Sequence, residues 1–309
     1  MNRTIYIALS TFAEFGSIPL DNLKENKFNI LKNLTGKRLV SNEIIEFATD
    51  ASAIIAGVEP YTKEVIDKLP NLRCISRAGV GTDNIDLEYA KTKGIEIRNT
   101  PDEVIIPVCE LTLSMIFGLL RKTGQQTQIL KSGNWKKLNG NNLYEKKVGI
   151  VGTGRIGKKV AESLSYLGAE VRLCDVNPDK NWSNKLNLQY YELQNIIESC
   201  DIISLHLTSN SNQFLIDIEE VKQMKQGSII VNTSRGSLIN EDALVYALDN
   251  KILNGIGLDV FPEEPYYGKL IKYDNIILTP HIATLTAESR LKMEIKAVEN
   301  LVEFFKKNI

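Results

Sequence analysis

The stretch from Lys147 to Asp175 leaves this chain few choices of fold. It opens on a short apolar run, Val148 to Val151, that reads as a buried strand. Gly152, Gly154 and Gly157 follow in the spacing G-x-G-x-x-G. Ile156, Val160, Leu164 and Leu167 then return at three- or four-residue steps, the period of a helix with one apolar face. Gly168 stands where a helix C-cap glycine belongs. A second apolar run, Val171 to Cys174, ends on Asp175, 18 residues beyond Gly157. Strand, glycine turn, helix, strand and terminal acid together make a dinucleotide-binding unit. Gly152 permits the tight turn, Gly154 lets a pyrophosphate approach the backbone, and Gly157 lets the helix pack close. The N–H groups that open the helix face the phosphate charge. The Asp175 carboxylate accepts hydrogen bonds from ribose hydroxyls and repels a 2′-phosphate. The expected cofactor is therefore NAD rather than NADP.

The rest of the chain fits around this unit. Its 309 residues suggest about two domains. A net charge of −1 points to neither nucleic acid nor an anionic membrane as partner. The N-terminus reads as a strand rather than a signal peptide. The most apolar long segment, Val104 to Leu120, is interrupted by Glu110, Thr112 and Ser114, which argues against a membrane span. Cys74, Cys109, Cys174 and Cys200 are widely spaced in apolar surroundings. They read as reduced core residues of a cytoplasmic protein, not as a disulfide framework or a zinc site.

Before residue 100, short strands alternate with helical patterns, which argues for a parallel sheet. Candidate strands are Ile5–Leu9, Arg38–Val40, Ala53–Ala56, Leu72–Ser76 and Ile95–Ile97, with helices such as Asn42–Ala48 and Tyr61–Lys68 between them. The loop from Ser76 to Asn84 leaves a strand end, where Gly79 and Gly81 can present N–H groups to an anion or simply make a turn. Pro101 to Thr123 reads as a long helix apolar on more than one face, buried in a core or at a subunit interface. A polar linker follows, with Trp135 and Tyr144 as expected packing anchors. Six strands are expected from Val148 onward, and an amphipathic helix carrying Leu291, Ile295, Val298, Val302 and Phe305 ends the chain.

Three polar residues follow the last three strands: Arg235, Glu264 and His281. All three should emerge on the edge of the sheet where the cofactor lies. Hydride transfer at the nicotinamide requires a proton to move on the neighbouring oxygen, and His281 is the natural acid/base. A carboxylate beside it fixes its tautomer. Arg235 can hold a substrate carboxylate by two hydrogen bonds and polarise the carbonyl. Taken singly, each has a plainer reading as a surface or turn residue. Asp259 also ends a strand and reads either as a supporting residue behind the site or as a group near the nicotinamide. His206 reads as a structural histidine or as a residue lining the cofactor site.

At this point the chain resembles the D-isomer-specific 2-hydroxyacid dehydrogenases, and within them the D-3-phosphoglycerate dehydrogenases. The resemblance is carried by RAGVGTDNID at Arg77–Asp86, VGIVGTGRIG at Val148–Gly157, VNTSRGSLIN at Val231–Asn240, GLDVFPEEP at Gly257–Pro265 and TPHIA at Thr279–Ala283. It implies an α/β fold of two doubly wound parallel-sheet domains. A Rossmann NAD-binding domain, residues 100–284, would be inserted in a discontinuous, flavodoxin-like substrate domain, residues 1–99 and 285–309. Arg235, Glu264 and His281 match the family's catalytic residues. Arg155 and Ile156 match contacts to the pyrophosphate, Asp175 the ribose ligand, and Thr233, Ser234 and Asp259 positions near the nicotinamide. Val80 and Gly81 match donors to the substrate carboxylate. The helix after Pro101 is the expected homodimer contact. The loop at Thr208-Ser209-Asn210-Ser211 departs from the family pattern, so the cofactor contact expected of Thr208 rests on less. The chain reads as a short form without the regulatory domain of longer relatives.

The expected activity is NAD-dependent oxidation of a D-2-hydroxy acid or reduction of its keto acid. The first expected substrate is 3-phosphoglycerate, with Arg77 as a phosphate contact. The alternative is a glyoxylate or hydroxypyruvate reductase. From a different class, an NAD-sensing binding protein would share the fold, though it would not need the Arg/Glu/His set.

Overall fold

The computed structural model of the chain describes residues 3–208 and 213–307. It divides into two units, Met1–Val104 with Thr284–Ile309, and Ile105–Ala283. No helix among the described residues is long and apolar enough to cross a membrane.

The first unit runs β1 (Thr4–Ile7), α1 (Ile18–Glu25), β2 (Asn29–Lys32), α2 (Ser41–Ala48), β3 (Ala53–Ala56), α3 (Lys63–Asp67), β4 (Cys74–Arg77), α4 (Leu87–Thr92) and β5 (Glu96–Arg98). The sheet order is β2-β1-β3-β4-β5, all parallel. This 2-1-3-4-5 order is that of the flavodoxin-like sheet. Every residue of β1 and β3 is buried, as strands covered on both faces require. The edge strand β2 replaces the strand expected at Arg38–Val40, which is instead the loop entering α2. Leu39 is buried there as a single loop anchor, and it imitates the apolar signal of a strand. The β2 residues, exposed at both ends of the strand, carry no such signal.

The last helix completes this unit. It is Ala287–Lys307, which is α12 in the numbering below, and it buries Met293, Ala297, Val298, Leu301, Phe304 and Phe305. It packs against α1, β3 and β4. The Ser76 hydroxyl at β4 donates to the Ala297 carbonyl at 2.8 Å. Glu294, fully buried on this helix, accepts from the Ala13 N–H at 2.8 Å and from Arg290 at 3.2 Å. Burial pushes its carboxyl above the usual range, and these donors are what make a buried acid tolerable.

The second unit begins with α5 (Ile105–Arg121) and α6 (Thr123–Lys131). It continues as β6 (Lys147–Val151), α7 (Arg155–Tyr166), β7 (Glu170–Cys174), α8 (Lys180–Lys185), β8 (Gln189–Tyr190), α9 (Leu193–Ser199) and β9 (Ile202–Leu205). It ends with α10 (Ile218–Gln223), β10 (Ser228–Asn232), α11 (Glu241–Asp249), β11 (Leu253–Leu258) and β12 (Ile276–Leu278). The seven parallel strands lie in the order β12-β11-β10-β9-β6-β7-β8. This is the Rossmann order with one strand more than the six expected. The extra strand, β8, has two residues and is too short to leave a period in the sequence. Helix α5 packs on α7 and on β10, β11 and β12 through Val108, Thr112, Met115, Ile116 and Leu119. Of the two expected anchors, Tyr144 packs its ring over Gly168, but Trp135 is 83% exposed.

The order of the sheet reverses between β6 and β9, and the glycine turn sits there. Gly152 has a φ of +96°, and a Cβ on it would stand 2.5 Å from the His206 carbonyl oxygen. A Cβ on Gly157 would stand 1.9 Å from the Gly152 carbonyl oxygen, a position no side chain can occupy. The turn therefore closes on itself and on the residue that follows β9. His206 bonds the Ser204 hydroxyl through Nε2 at 2.9 Å, and its buried Nδ1 has no partner among the described residues. Burial pushes the imidazole down to about 4. Below pH 6.5 the unfolded chain takes up a proton that the native ring refuses until about pH 4. This contribution to stability is full above pH 6.5 and is lost as the pH falls toward 4. The loss is at most about 1.4 kcal/mol per pH unit. Replacing His206 by Gln should flatten the acid limb: urea unfolding at pH 7 and pH 5 will show a smaller drop than in the wild type. An equal drop in both proteins would mean another group carries it.

Candidate active site

The glycine turn hands the chain from β6 into α7. Gly154 caps the helix, and a Cβ there would meet nothing within 4 Å. The space beside Gly154 is thus open for a ligand to approach the start of α7, where helix N–H groups point outward. Asp175, straight after β7, is drawn toward the same turn. Its Oδ2 accepts from the Thr153 N–H at 2.6 Å and from the Thr153 hydroxyl at 3.0 Å, and its Oδ1 accepts from the Asn177 N–H at 2.8 Å. Burial pushes this carboxyl up, but the donors of Asn177 and Thr153 and the nearby Lys158 outweigh it and hold it below its usual range. An open glycine at a helix start and a charged acid at the next strand end fit the pyrophosphate and adenosine ribose of a dinucleotide. The partners of Asp175, Thr153 and through it Tyr190, were not singled out from the sequence. A threonine inside the glycine motif was the available signal for the first, and nothing local marked the second.

Arg235, Glu264 and His281 follow β10, β11 and β12, three neighbouring parallel strands, and so share one edge of the sheet. His281 Nδ1 lies 3.0 Å from Glu264 Oε2. Of the adjacent Glu263 and Glu264 it is the second that reaches the histidine. The other oxygen, Oε1, accepts the Phe261 N–H at 3.1 Å, which sets the plane of the carboxylate. Bonded through Nδ1, the imidazole leaves Nε2 for another proton donor or acceptor. Both side chains are substantially exposed, 53% for His281 and 38% for Glu264, so a reactant can reach them. Arg235 is half-buried and donates to the Ser234 carbonyl at 2.8 Å. Asn232, at the end of β10, folds this turn: its amide donates to the Arg235 carbonyl at 2.8 Å, and its oxygen accepts the Ser234 N–H at 3.0 Å. That role was not read from the sequence, although an Asn just before a turn is a usual device.

Asp259 holds the turn that carries His281. It is fully buried at the end of β11. Its Oδ1 accepts from the Thr279 hydroxyl at 2.6 Å and the Ile282 N–H at 2.8 Å, and its Oδ2 accepts from the Ala283 N–H at 2.9 Å. These donors flank His281, whose φ of 54° is left-handed. That conformation costs a non-glycine residue about 1–2 kcal/mol. Each bond to a carboxylate contributes about 1.5–3 kcal/mol, so the grip of Asp259 outweighs the strain. Its oxygens face this turn, which fits the reading of Asp259 as a supporting residue behind the site. Thr233 is buried, with its hydroxyl 2.9 Å from that of Thr112 on α5. Thr112 donates to Val108, so Thr233 is the donor of that pair and is committed to the helix. The Ser234 hydroxyl bonds Asn232 at 2.9 Å.

In the first unit, the loop after β4 places Val80 in partial exposure. The Gly79 N–H, for which the sequence left both an anion contact and a plain turn open, donates to the buried Thr100 hydroxyl at 2.8 Å. No hydrogen bond to the N–H of Val80 or Gly81 is found among the described residues. The Arg77 guanidinium folds back to donate to the Ala78 carbonyl and lies against Gly79. In the second unit, Thr208 is exposed, and Ser209, Asn210 and Ser211 of its expected loop lie outside the described residues.

Comparison with known proteins agrees with this geometry. Residues 113–283 match the D-isomer specific 2-hydroxyacid dehydrogenase, NAD binding domain. The chain is 34% identical over 276 residues to a hydroxypyruvate reductase of Thermotoga maritima, covering 87% of this chain and 89% of that protein. It is 35% identical over 281 residues to a D-3-phosphoglycerate dehydrogenase of Methanocaldococcus jannaschii, covering 87% of this chain and 53% of that longer protein. Its fold is similar to the crystal structure of D-lactate dehydrogenase from Aquifex aeolicus complexed with NAD and lactic acid, with a TM-score of 0.85, 27% identity and coverage of 98% and 96% of the two chains. The chain belongs to the D-isomer-specific 2-hydroxyacid dehydrogenases, NAD-dependent oxidoreductases.

Proposed function

We propose that this enzyme reduces a small unphosphorylated 2-keto acid, such as hydroxypyruvate or glyoxylate, to the D-2-hydroxy acid. The observation that carries the chemistry is the 3.0 Å contact of His281 with Glu264, on the same sheet edge as Arg235. A nicotinamide held beside this edge would supply a hydride to C2. Arg235 holds the substrate carboxylate and draws electron density toward the C2 oxygen. His281 gives that oxygen its proton from Nε2. Glu264 keeps the other ring nitrogen protonated and stabilises the charged imidazole before transfer. Val80 and Gly81 offer N–H groups to the substrate carboxylate. Asp175 takes the ribose hydroxyls, and the start of α7 takes the pyrophosphate. Replacing His281 by Ala should lower kcat by about 10²–10⁴-fold, the usual loss for a general acid. Glu264→Gln should stay active with its pH profile displaced, because the imidazolium loses a counter-charge. Turnover of no 2-keto acid by the wild type would leave a dinucleotide-sensing role, and an unchanged rate in His281→Ala would remove the histidine from the mechanism.

The substrate reading rests on two supports. The hydroxypyruvate reductase relative aligns along most of its length. The Arg77 guanidinium is engaged with its own loop, which suits a structural role better than a phosphate clamp. The second reading is 3-phosphoglycerate, favoured by the 35% identity to a phosphoglycerate dehydrogenase. Arg77→Ala separates them. Under the first reading it lowers stability, or kcat/KM for every substrate alike. A loss of tenfold or more confined to 3-phosphoglycerate and phosphohydroxypyruvate would promote the second.

The same reading makes the protein a cytoplasmic homodimer. Its four cysteines are free, as a reducing compartment keeps them. Helix α5 leaves Ile106 and Phe117 exposed opposite its buried face, and Leu130 and Trp135 add apolar surface to the same unit. Phe117→Arg should convert a dimer to a monomer in light scattering. A wild type that is already monomeric at micromolar concentration would refute this.

A further inference from the structure

The hydrogen bonds around Asp175 form a chain with only one possible sense. The Asp179 N–H donates to the Tyr190 hydroxyl oxygen at 3.1 Å. That leaves the Tyr190 proton for the Thr153 hydroxyl oxygen, 2.9 Å away. Thr153 in turn donates to Asp175 Oδ2 at 3.0 Å, the same oxygen that receives its backbone N–H. An ionised carboxylate only accepts, so no link can be reversed without stranding a proton. The pairing of β8 with β7, Tyr190 beside Leu173, brings the phenol across to the glycine turn, where Thr153 is buried. With Oδ2 taken by two donors and Oδ1 by the Asn177 N–H, the carboxylate cannot rotate about its last bond without breaking a contact.

We infer that Thr153 and Tyr190 are positioning residues that set the preference for NAD over NADP by locking the Asp175 carboxylate in place. The inference rests on Asp175 being the ribose ligand. A locked carboxylate keeps a lone pair of Oδ1 toward a ribose hydroxyl. It also meets a 2′-phosphate with a charge that cannot swing away. A carboxylate released from the chain can turn aside, loosening its hold on NAD and lessening its repulsion of NADP.

The test is equilibrium binding of NADH and NADPH, followed by nicotinamide fluorescence without any substrate. Thr153→Val and Tyr190→Phe should each lower the ratio Kd(NADPH)/Kd(NADH) by about twofold to tenfold, the span of one neutral hydrogen bond. Thr153→Ser keeps the hydroxyl and should keep the wild-type ratio. The double variant Thr153→Val with Tyr190→Phe should lose little more than Thr153→Val alone, since both act through one chain. Residues with only a structural role would weaken both dinucleotides equally and leave the ratio unchanged. Asp175→Ala serves as the reference. If it relaxes the ratio while Thr153→Val and Tyr190→Phe do not, the relay is overturned and the reading of Asp175 stands. If Asp175→Ala itself leaves the ratio unchanged, both are overturned. Tyr190→Phe, which removes one oxygen from a half-buried ring, keeps the test decisive should Thr153→Val fail to fold.

Discussion

All seven strands of the second unit run in one direction, and the chemistry of the site depends on that. A parallel sheet delivers every strand to the same edge, so residues far apart in the chain leave it together. Arg235, Glu264 and His281 each come three to six residues after a strand end. Each is held by its own short turn rather than by a shared loop. The reversal of strand order between β6 and β9 opens the place where the glycine turn can sit, and the 1.9 Å approach that a Gly157 Cβ would make to the Gly152 carbonyl shows how tightly it is drawn in.

Two buried or half-buried acids then do the work of fixing geometry. Asp259 bonds the turn on both sides of His281 and keeps a left-handed histidine in place against about 1–2 kcal/mol of strain. Asp175 is fixed by Thr153, Asn177 and, at one remove, Tyr190. In both cases every oxygen has at least one donor, which is what allows a carboxylate to be removed from water without a prohibitive desolvation penalty. The pair that meets the substrate is treated differently. Glu264 and His281 are exposed and joined by one bond, so the ring keeps a free nitrogen and access to a reactant.

A contrast between the two histidines follows from their surroundings. His206 lies beside the glycine turn, with one ring nitrogen on Ser204 and the other buried without a partner among the described residues, and burial holds it neutral through the physiological range. It packs against the turn as an uncharged ring. His281 lies open beside a carboxylate, where a reactant can reach it.

By itself, the sequence determined the dinucleotide turn, the alternation of strands and helices, and the three polar residues that close the later strands. These are local signals: glycines at fixed spacing, apolar runs at strand length, and charged residues directly after them. The strand boundaries in the second unit were legible for the same reason, since a strand buried on both faces must be apolar throughout. What lacked a local signal was decided by tertiary structure. Leu39 looked like part of a strand because a buried loop anchor and a strand residue have the same composition, while the half-exposed β2 left no apolar run. Trp135 looked like an anchor, yet it stands largely exposed. The uses of Asp259, Thr153, Tyr190 and Arg77 were set by partners brought close only when the strands assembled side by side or the loop after β4 folded back. A hydrogen bond across such a distance leaves no period in the chain, because its energy depends on where the backbone places two atoms and not on how far apart they stand in sequence.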